Sequence, residues 1–414
     1  MKNNGHFDLV IKGGRVIDAA QGIDGIMDVG VSAGKIAAVA EQLPEDKADQ
    51  VVDAHRHIVS PGLIDLHVHV YEWLTNFGLP PDDAGLHSGA TTVVDQGSCG
   101  AWTFEGFRAY VAEPSITDIR CFLSINVAGA MRGGLNGPEL HSPEMVDVDA
   151  LVATARKNPA IVRGIKCHGE SGAISRWGIE VLKRAREAAD RSGLPLYVHT
   201  GELFPVDEAN RPTPNTVLGQ VLKLLRPGDI VAHCYSNKPD GVMGLRERVP
   251  KELHDAVDRG ILLDLGHGVN FSLDIARRMM GEGIYPFTIS SDVHGDFDSM
   301  HNDTLLDYSL CGALSKLVAL GMELEAALAA VTVNPARILG CEDEIGSLCA
   351  GSSADLTVLG EIKGDWRFSD AADQQLSADM RYVPTGVIRA GRLVKPEGRL
   401  LRDLGGSAAI AQAA

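Results

Sequence analysis

The chain has 414 residues, which is enough for one large barrel or for two domains with a well-buried core. Hydrophobic residues make up 45% of it, a share typical of globular enzymes that excludes a disordered or fibrous chain. The formal net charge is −17 and no run of Lys or Arg stands out, which excludes the basic stripe of a nucleic-acid-binding surface.

The cysteines and the apolar runs bear on the compartment. Seven cysteines are scattered along the chain without a C-x-x-C pair, which argues against a disulfide framework and a structural zinc knuckle. The first residues lack an apolar signal core, and no apolar run reaches the ~18 residues of a membrane span. We therefore expect a cytoplasmic protein without a nucleic-acid or membrane partner. A homodimer is the default assembly.

Short β-rich runs punctuated by glycine occupy the first 60 residues and return near the C-terminus. They are Phe7–Ile11, Gly14–Ile17, Ile26–Val31, Lys35–Val39, Asp355–Leu359 and Val383–Val394. We predict a small β-sandwich domain built from residues 1–60 and 345–400, followed by a frayed Ala-rich tail, 401–414.

Residues 61–344 begin with a strand that carries two histidines, His67 and His69. Apolar and polar residues alternate from Leu63 to Val70, which is typical of a strand. Side chains two apart on a strand share a face, so both imidazoles are expected to point the same way. Two converging neutral imidazoles are suited to zinc and similar cations. An ordinary surface strand with two histidines is the alternative.

Strand and helix patterns then alternate, which favours a (β/α)8 TIM barrel whose chemistry lies at the C-terminal strand ends. The eight predicted strands are Leu63–Val70, Thr91–Gln96, Ile119–Val127, Ile161–Cys167, Leu196–Thr200, Asp229–Cys234, Ile261–Leu265 and Phe287–Ser291.

Three helices have clear signals between these strands. Ser142 followed by Pro143 predicts an N-cap and a first helical position. Apolar residues recur at helical spacing over Trp177–Ala189, and Gly193 and Pro195 are expected to stop that helix. Val217–Leu225 repeats the pattern.

Four further polar residues fall at the ends of predicted strands: Lys166, His199, His233 and Asp292. Each alone could be an interior polar residue with ordinary hydrogen bonds. Together with the two histidines of the first strand, six such groups at one rim would be costly unless a common ion bound them. His55 and His57 also form H-x-H, but they precede the first barrel strand and are not expected to bind metal.

This order of H-x-H, lysine, histidine, histidine and aspartate resembles the binuclear members of the amidohydrolase superfamily. Pro61-Gly62-Leu63-Ile64-Asp65 and Thr332-Val333-Asn334-Pro335-Ala336 add to the resemblance. It implies two divalent metal ions, with zinc as the default. It also implies that Lys166 is carboxylated to N6-carboxylysine and bridges them. One ion would be held by His67, His69 and Asp292, and the other by His199 and His233.

The same resemblance indicates a hydrolase in which a hydroxide shared by the two metals attacks an amide or ester carbonyl. Asp292 would act as general base and then as general acid. Residues around Lys166, His199 and His233 resemble a dihydroorotase-like or deacetylase branch. Its members include esterases of acetyl-(R)-mandelate and hydrolases of N-acetyl-D-amino acids, so we expect a small acylated carboxylic acid as the substrate.

Three alternatives stay open. A cyclic amidase of the dihydroorotase or hydantoinase kind is the nearest, and a non-catalytic assembly protein on the same fold is the most remote. A single-metal deaminase fits less well, because such relatives lack the bridging lysine that is present here as Lys166.

Loop residues at the active rim complete the predictions. The substrate candidates are Asn126, Arg132, Arg176, Tyr235, Lys238 and His294, although each could be an ordinary loop residue. Glu170 and Glu202 are interpreted as solvated loop carboxylates. Cys167, His168 and Cys234 are expected to point away from the ligands.

Overall fold

The computed structural model describes residues 6–131, 137–295 and 307–397. A terminal sheet joins the two ends of the chain, as predicted. Its N-terminal strands are β1 (Phe7–Asp18), β2 (Ile23–Ser32), β3 (Lys35–Ala40), β4 (Ala48–Asp53) and β5 (His57–Pro61). Its C-terminal strands are β13 (Leu356–Ser369), β14 (Gln375–Arg389) and β15 (Arg392–Val394).

The N-terminal and C-terminal parts of this sheet meet where β5 pairs antiparallel with β13. The strand order is β15-β14-β13-β5-β1-β2-β3, and β4 pairs with β1 from outside this path. The predicted runs Phe7–Ile11 and Gly14–Ile17 form one strand, because a register shift between Ile11 and Gly14 absorbs the glycines without ending the pairing with β2.

The second sheet is parallel and forms the barrel. Its strands are β6 (Leu63–Val68), β7 (Ala90–Gln96), β8 (Asp118–Ser124), β9 (Val162–His168), β10 (Leu196–His199), β11 (Ile230–Ala232) and β12 (Leu262–Leu263). They follow one another in chain order across the sheet. Seven of the eight predicted strands are therefore present, which confirms the barrel class.

The eighth predicted strand, Phe287–Ser291, is irregular in the described part of the chain. It still closes the barrel, because Thr288 bridges Asp264 on one side and Val293 bridges Val68 on the other. The backbone of Asp292 also donates to the carbonyl of His67 at 2.7 Å. The chain then leaves the extended conformation at Asp292, whose φ of 50° lies in the left-handed region.

Helices cover the outside of the barrel. The described α-helices are α1 (Pro81–Ala84), α2 (Phe104–Phe107), α3 (Val148–Lys157), α4 (Ser171–Trp177), α5 (Glu180–Ser192), α6 (Val217–Leu224), α7 (Lys251–Asp258), α8 (Leu273–Gly281), α9 (Leu310–Ala319), α10 (Leu324–Ala329) and α11 (Val333–Leu339). Short 3₁₀ turns lie at Glu45–Lys47, Leu86–Ser88, Pro138–His141, Pro143–Met145, Glu208–Asn210 and Gly268–Asn270, and a π-helical turn at Arg108–Ala112.

Two helix predictions need correction. Ser142 starts only a 3₁₀ turn, and the neighbouring helix α3 is instead capped by Asp147, whose side chain accepts from the amide of Ala150. The helix predicted over Trp177–Ala189 starts later, because Gly178 has a φ of 59° and separates α4 from α5. Helix α5 ends at the predicted Gly193, which is left-handed.

The apolar face of α5 packs into the large core between the barrel strands and their helices, and its buried residues are those of the sequence pattern: Val181, Leu182, Ala185, Ala188 and Ala189. No helix in the described ranges is long and apolar enough to cross a membrane. Because the helices lie outside the barrel, the C-terminal strand ends and the loops that follow them are available to build a site.

Candidate metal centre

A cavity lies at the C-terminal ends of the barrel strands, and all six residues predicted as ligands line it: His67, His69, Lys166, His199, His233 and Asp292. Five of them lie on the barrel strands β6, β9, β10 and β11 or within two residues after them, and Asp292 lies in the irregular segment 287–293 that closes the barrel. Their relative exposures run from 1% to 4% for five of them, and His69 is half-buried. The structure thus brings together groups separated by more than 200 positions of sequence.

His67, His69 and Asp292 form the tightest group. Their candidate ligand atoms all lie within 4.8 Å of one another. The Nε2 atom of His67 is 3.2 Å from Asp292 Oδ1, and that of His69 is 3.7 Å from the same oxygen. Two imidazole nitrogens and a carboxylate at this spacing can hold a divalent ion.

For three of the four histidines, the Nδ1 atom lies within hydrogen-bond distance of a group behind the ring, which leaves Nε2 toward the cavity. His233 Nδ1 lies 2.8 Å from the carbonyl of Gly266. A carbonyl only accepts, so Nδ1 carries the proton and Nε2 keeps its lone pair. His67 Nδ1 is 2.9 Å from the hydroxyl of Tyr197, and His69 Nδ1 is 3.0 Å from that of Ser98.

The second histidine pair offers two bare nitrogens. The rings of His199 and His233 have centroids 4.3 Å apart, and both Nε2 atoms are buried without a hydrogen bond to any described residue. A buried polar atom without a partner is costly, and a bound cation would supply that partner. The residues present therefore fit a divalent metal centre.

Burial sets the protonation states. It lowers the pKa of His67, His69 and His199 well below the usual value, and that of His233 to about 3. All four rings are therefore neutral near pH 7, the form that binds metal. Burial also raises the pKa of Asp292, to about 6.

Lys166 lies on β9, and its side chain lines the cavity together with the four histidine rings. Burial lowers its pKa to about 8, against the pull of Asp292 and other carboxylates. Its Nζ lies 4.5 Å from the ring centroid of Tyr197. An unprotonated amine is the form that adds carbon dioxide to give a carbamate, so the environment favours the chemistry implied for this lysine.

Backbone strain is concentrated at two of the six residues. His233 and Asp292 have φ values of 60° and 50°, which residues with side chains rarely adopt. Glycines make room for them: a Cβ at Gly266 would lie 2.5 Å from His233 Nδ1, and one at Gly268 would lie 2.5 Å from Asp292 Oδ2. Strain of this kind is typical of functional sites.

Most of the predicted substrate residues have other partners. His294 lines the cavity, with its ring 5.8 Å from that of His69. Asn126 accepts from the amides of its own loop, Arg176 donates to the carbonyl of Gly172, and Tyr235 donates to the carbonyl of Ile284. None of these three, nor Lys238, is among the described residues that line the cavity. Arg132 lies outside the described residues.

Two interpretations from sequence are wrong. His168 does not point away, because it lies two positions after Lys166 on β9 and so shares its face; its ring stacks 5.0 Å from that of His199 and lines the cavity. Glu170 is fully buried rather than solvated, and its carboxylate caps α4 by accepting from the amides of Gly172 and Ala173.

Other predictions agree with the placement of the side chains. Glu202 is only partly buried and pairs with Arg211 at 2.7 Å. Cys167 and Cys234 are buried and are not among the described cavity residues. His57 starts β5 in the terminal sheet, and His55 just before it is exposed.

Three further residues that line the cavity are only weakly indicated by the sequence: Gln96, His141 and Phe204. His141 and Phe204 stack at 4.0 Å and line the cavity beside His168. Gln96 lines it too, with its amide nitrogen bound to the carbonyl of Leu66 at 2.7 Å. The position of Gln96 at the end of a predicted strand was the only signal that could have found it.

Comparisons with known proteins agree with this geometry. The amidohydrolase family profile matches residues 58–394. A protein named deacetylase from Agrobacterium fabrum (strain C58) is 32% identical over 376 residues, which cover 89% of this chain and 88% of that protein.

Two further relatives carry the name dihydroorotase. One, from Anaeromyxobacter sp. (strain K), is 26% identical over an alignment that covers 94% of this chain and 98% of the relative. The crystal structure of a dihydroorotase superposes with a TM-score of 0.80 at 28% identity, covering 94% of this chain and 97% of the other.

Proposed function

The chain belongs to the amidohydrolase family and is a hydrolytic enzyme acting on C–N bonds, and we propose that it deacylates small acylated carboxylic acids. N-acetyl-D-amino acids and O-acetyl 2-hydroxy acids such as acetyl-(R)-mandelate are the substrates that we favour. The observation that carries the proposal is the convergence of four neutral imidazoles, Lys166 and Asp292 on one buried cavity.

We propose two divalent ions, zinc by default, at this centre. His67, His69 and Asp292 would hold one, and His199 and His233 the other, with Lys166 as a carbamate between them. Bound ions would supply an activated water and a polarised substrate carbonyl. Burial of the four rings keeps them neutral and so available as ligands without loss of a proton.

Asp292 is the residue that we assign to proton transfer. Its Oδ1 faces His67 and His69, and its Oδ2 accepts from the amide of Asn270 at 3.3 Å. The side-chain amide of Asn270 thus holds Oδ2, while Oδ1 faces the two histidines that would share an ion with Asp292. As a base, Asp292 takes a proton from the attacking water, and as an acid it returns that proton to the leaving nitrogen or oxygen.

The remaining cavity wall supports a small organic acid. Phe77, Leu203, Phe204 and Val269 give it apolar surface. His141 Nε2 and His168 Nδ1 are buried without partners among the described residues. We propose that they donate hydrogen bonds to the substrate, which would fit a carboxylate or a carbonyl oxygen.

A cyclic amidase is the second candidate, and the superposition on a dihydroorotase at a TM-score of 0.80 favours it. Both candidates need the same centre and differ in whether the scissile amide lies in a ring. We also propose a reducing cytoplasmic location, in line with seven free cysteines.

A substrate panel separates the candidates. The metal-loaded enzyme is assayed with both enantiomers of N-acetyl amino acids and O-acetyl 2-hydroxy acids, beside dihydroorotate and hydantoins. We expect the highest kcat/KM for an acyclic acetylated acid. Preference for a cyclic amide would favour the second candidate, and no turnover of any of them by enzyme with full metal would contradict both.

A further inference from the structure

We propose that Tyr197 and Asp264 are positioning residues of the metal centre, a role that rests on the proposed metal binding. Neither is a candidate ligand. Together they form a hydrogen-bonded unit behind the ligands, which we infer selects the ring nitrogen that His67 presents and fixes the segment that carries Asp292.

The direction of the bonds around Tyr197 follows from counting protons. Its hydroxyl lies 2.5 Å from Asp264 Oδ2 and 2.9 Å from His67 Nδ1. A carboxylate only accepts, so the single phenolic proton goes to Asp264. The phenolic oxygen must then accept from His67 Nδ1–H, which leaves the lone pair of His67 on Nε2, 3.2 Å from Asp292.

The other bonds of Asp264 lead to two more ligands. Thr288 donates to its Oδ1 and Ser290 to its Oδ2, both at 2.6 Å, from the segment that closes the barrel just before Asp292. Ser290 Oγ also accepts from the amide of Gly266 at 3.1 Å, and the carbonyl of Gly266 holds His233. Asp264 is thus one hydrogen bond from Tyr197, which contacts His67, and one from Ser290, in the segment that carries Asp292. It is two hydrogen bonds from Gly266, which holds His233.

If Tyr197 and Asp264 only filled space in the core, burying their polar groups would be energetically unfavourable. Tyr197 and Asp264 are both completely buried in the barrel interior, where an apolar pair of similar volume would avoid the cost of desolvating a carboxylate. Groups that hydrogen-bond to the outer nitrogen of a histidine ligand typically orient the ring and change metal affinity by ~10–100-fold.

Tyr197→Phe tests the proposal, because it removes one oxygen and keeps the aromatic ring. Tyr235→Phe is the matched control, since it removes another buried hydroxyl whose bond ends on the carbonyl of Ile284, away from the ligands. Metal-loaded wild type and both variants are titrated with a metal chelator, and the same proteins loaded with cobalt(II) are compared by visible spectroscopy.

We expect Tyr197→Phe to bind metal ~10–100-fold more weakly than wild type and to shift the cobalt(II) absorption bands, while Tyr235→Phe matches wild type in both. A Tyr197→Phe protein with unchanged affinity and spectrum would overturn the positioning role. Equal losses in both variants would overturn it as well, because a general weakening of the core would then explain them.

Asp264→Asn gives an independent reading. An amide can donate to the phenolic oxygen, which frees the Tyr197 proton to turn toward His67 Nδ1 and moves the proton of the ring to Nε2. We expect at least the same loss of affinity, and wild-type affinity would contradict the proposal. If the wild-type chain itself holds no metal, the proposed function fails instead, so the two failures are distinguishable.

Discussion

Replacing Gly266 by alanine should displace His233 from the metal centre. The added Cβ would lie 2.5 Å from His233 Nδ1, whereas ordinary contacts begin at 3.4 Å, so the ring has to move by the difference, about 0.9 Å. A misplacement of ~1 Å in a catalytic arrangement can cost on the order of 10²-fold in rate. We expect kcat/KM to fall by about that factor, and the bound metal to be lost more easily to a chelator.

Gly283→Ala provides the matched control. Gly266 and Gly283 have φ values of 49° and 79°, so alanine is strained at both, by ~1–2 kcal/mol. A Cβ at Gly283, however, would meet nothing within 4 Å. Thermal melts should show a loss of stability in both variants, and steady-state kinetics should show a loss of kcat/KM in Gly266→Ala alone. Equal kcat/KM in the two variants would refute the link between this glycine and His233.

Three further predictions concern proton transfer, helix capping and acid stability. Asp292→Asn keeps the size of the side chain but cannot accept a proton, so kcat should fall by ~10²–10⁴ with less change in KM; near-normal turnover with full metal would point to His294 instead. Glu170→Ala should lower the free energy of unfolding in urea by ~1–2 kcal/mol because it removes the cap of α4, whereas Glu202→Ala, in a partly exposed ion pair, should cost under ~1 kcal/mol; equal losses would contradict this. Burial lowers the pKa of His141 to about 4, so as pH falls below ~6.5 this histidine takes up a proton in the unfolded chain before it does so in the folded chain. Between about pH 7 and pH 5, the free energy of unfolding of the wild type should therefore fall by ~2 kcal/mol more than that of His141→Phe. Equal decreases in urea titrations of the two proteins would show that this ring does not contribute.

The common location of the six candidate ligands could be predicted from sequence, because the barrel brings residues with regular local spacing to one rim. His67 and His69 share a face through the two-residue period of a strand, and the parallel order of the strands brings Lys166 and His199 to the same rim. The same period places His168 on the face of Lys166, so an outward orientation of His168 is inconsistent with the alternation of side chains along β9.

The supporting residues could not be predicted in the same way. Tyr197 and Asp264 are hydrogen-bonded to each other across 67 positions of sequence, and no local pattern marks such a pair. The sequence around Glu170 indicates a carboxylate in a loop. Only the structure shows that Glu170 is the N-cap residue of the short helix α4. The irregular closing segment at Asp292 likewise depends on bridges to strands on both sides, which periodicity does not encode.

The metal content of the purified chain and of Lys166→Ala is the most direct test of the centre. Plasma mass spectrometry should find about two divalent ions per wild-type chain and loss of the two-metal site in Lys166→Ala. Carbon dioxide with a short carboxylic acid should restore part of the activity of the variant by replacing the carbamate. Full metal content and a wild-type rate in Lys166→Ala would contradict the bridging lysine, and a wild-type chain without metal would contradict the proposed function as a whole.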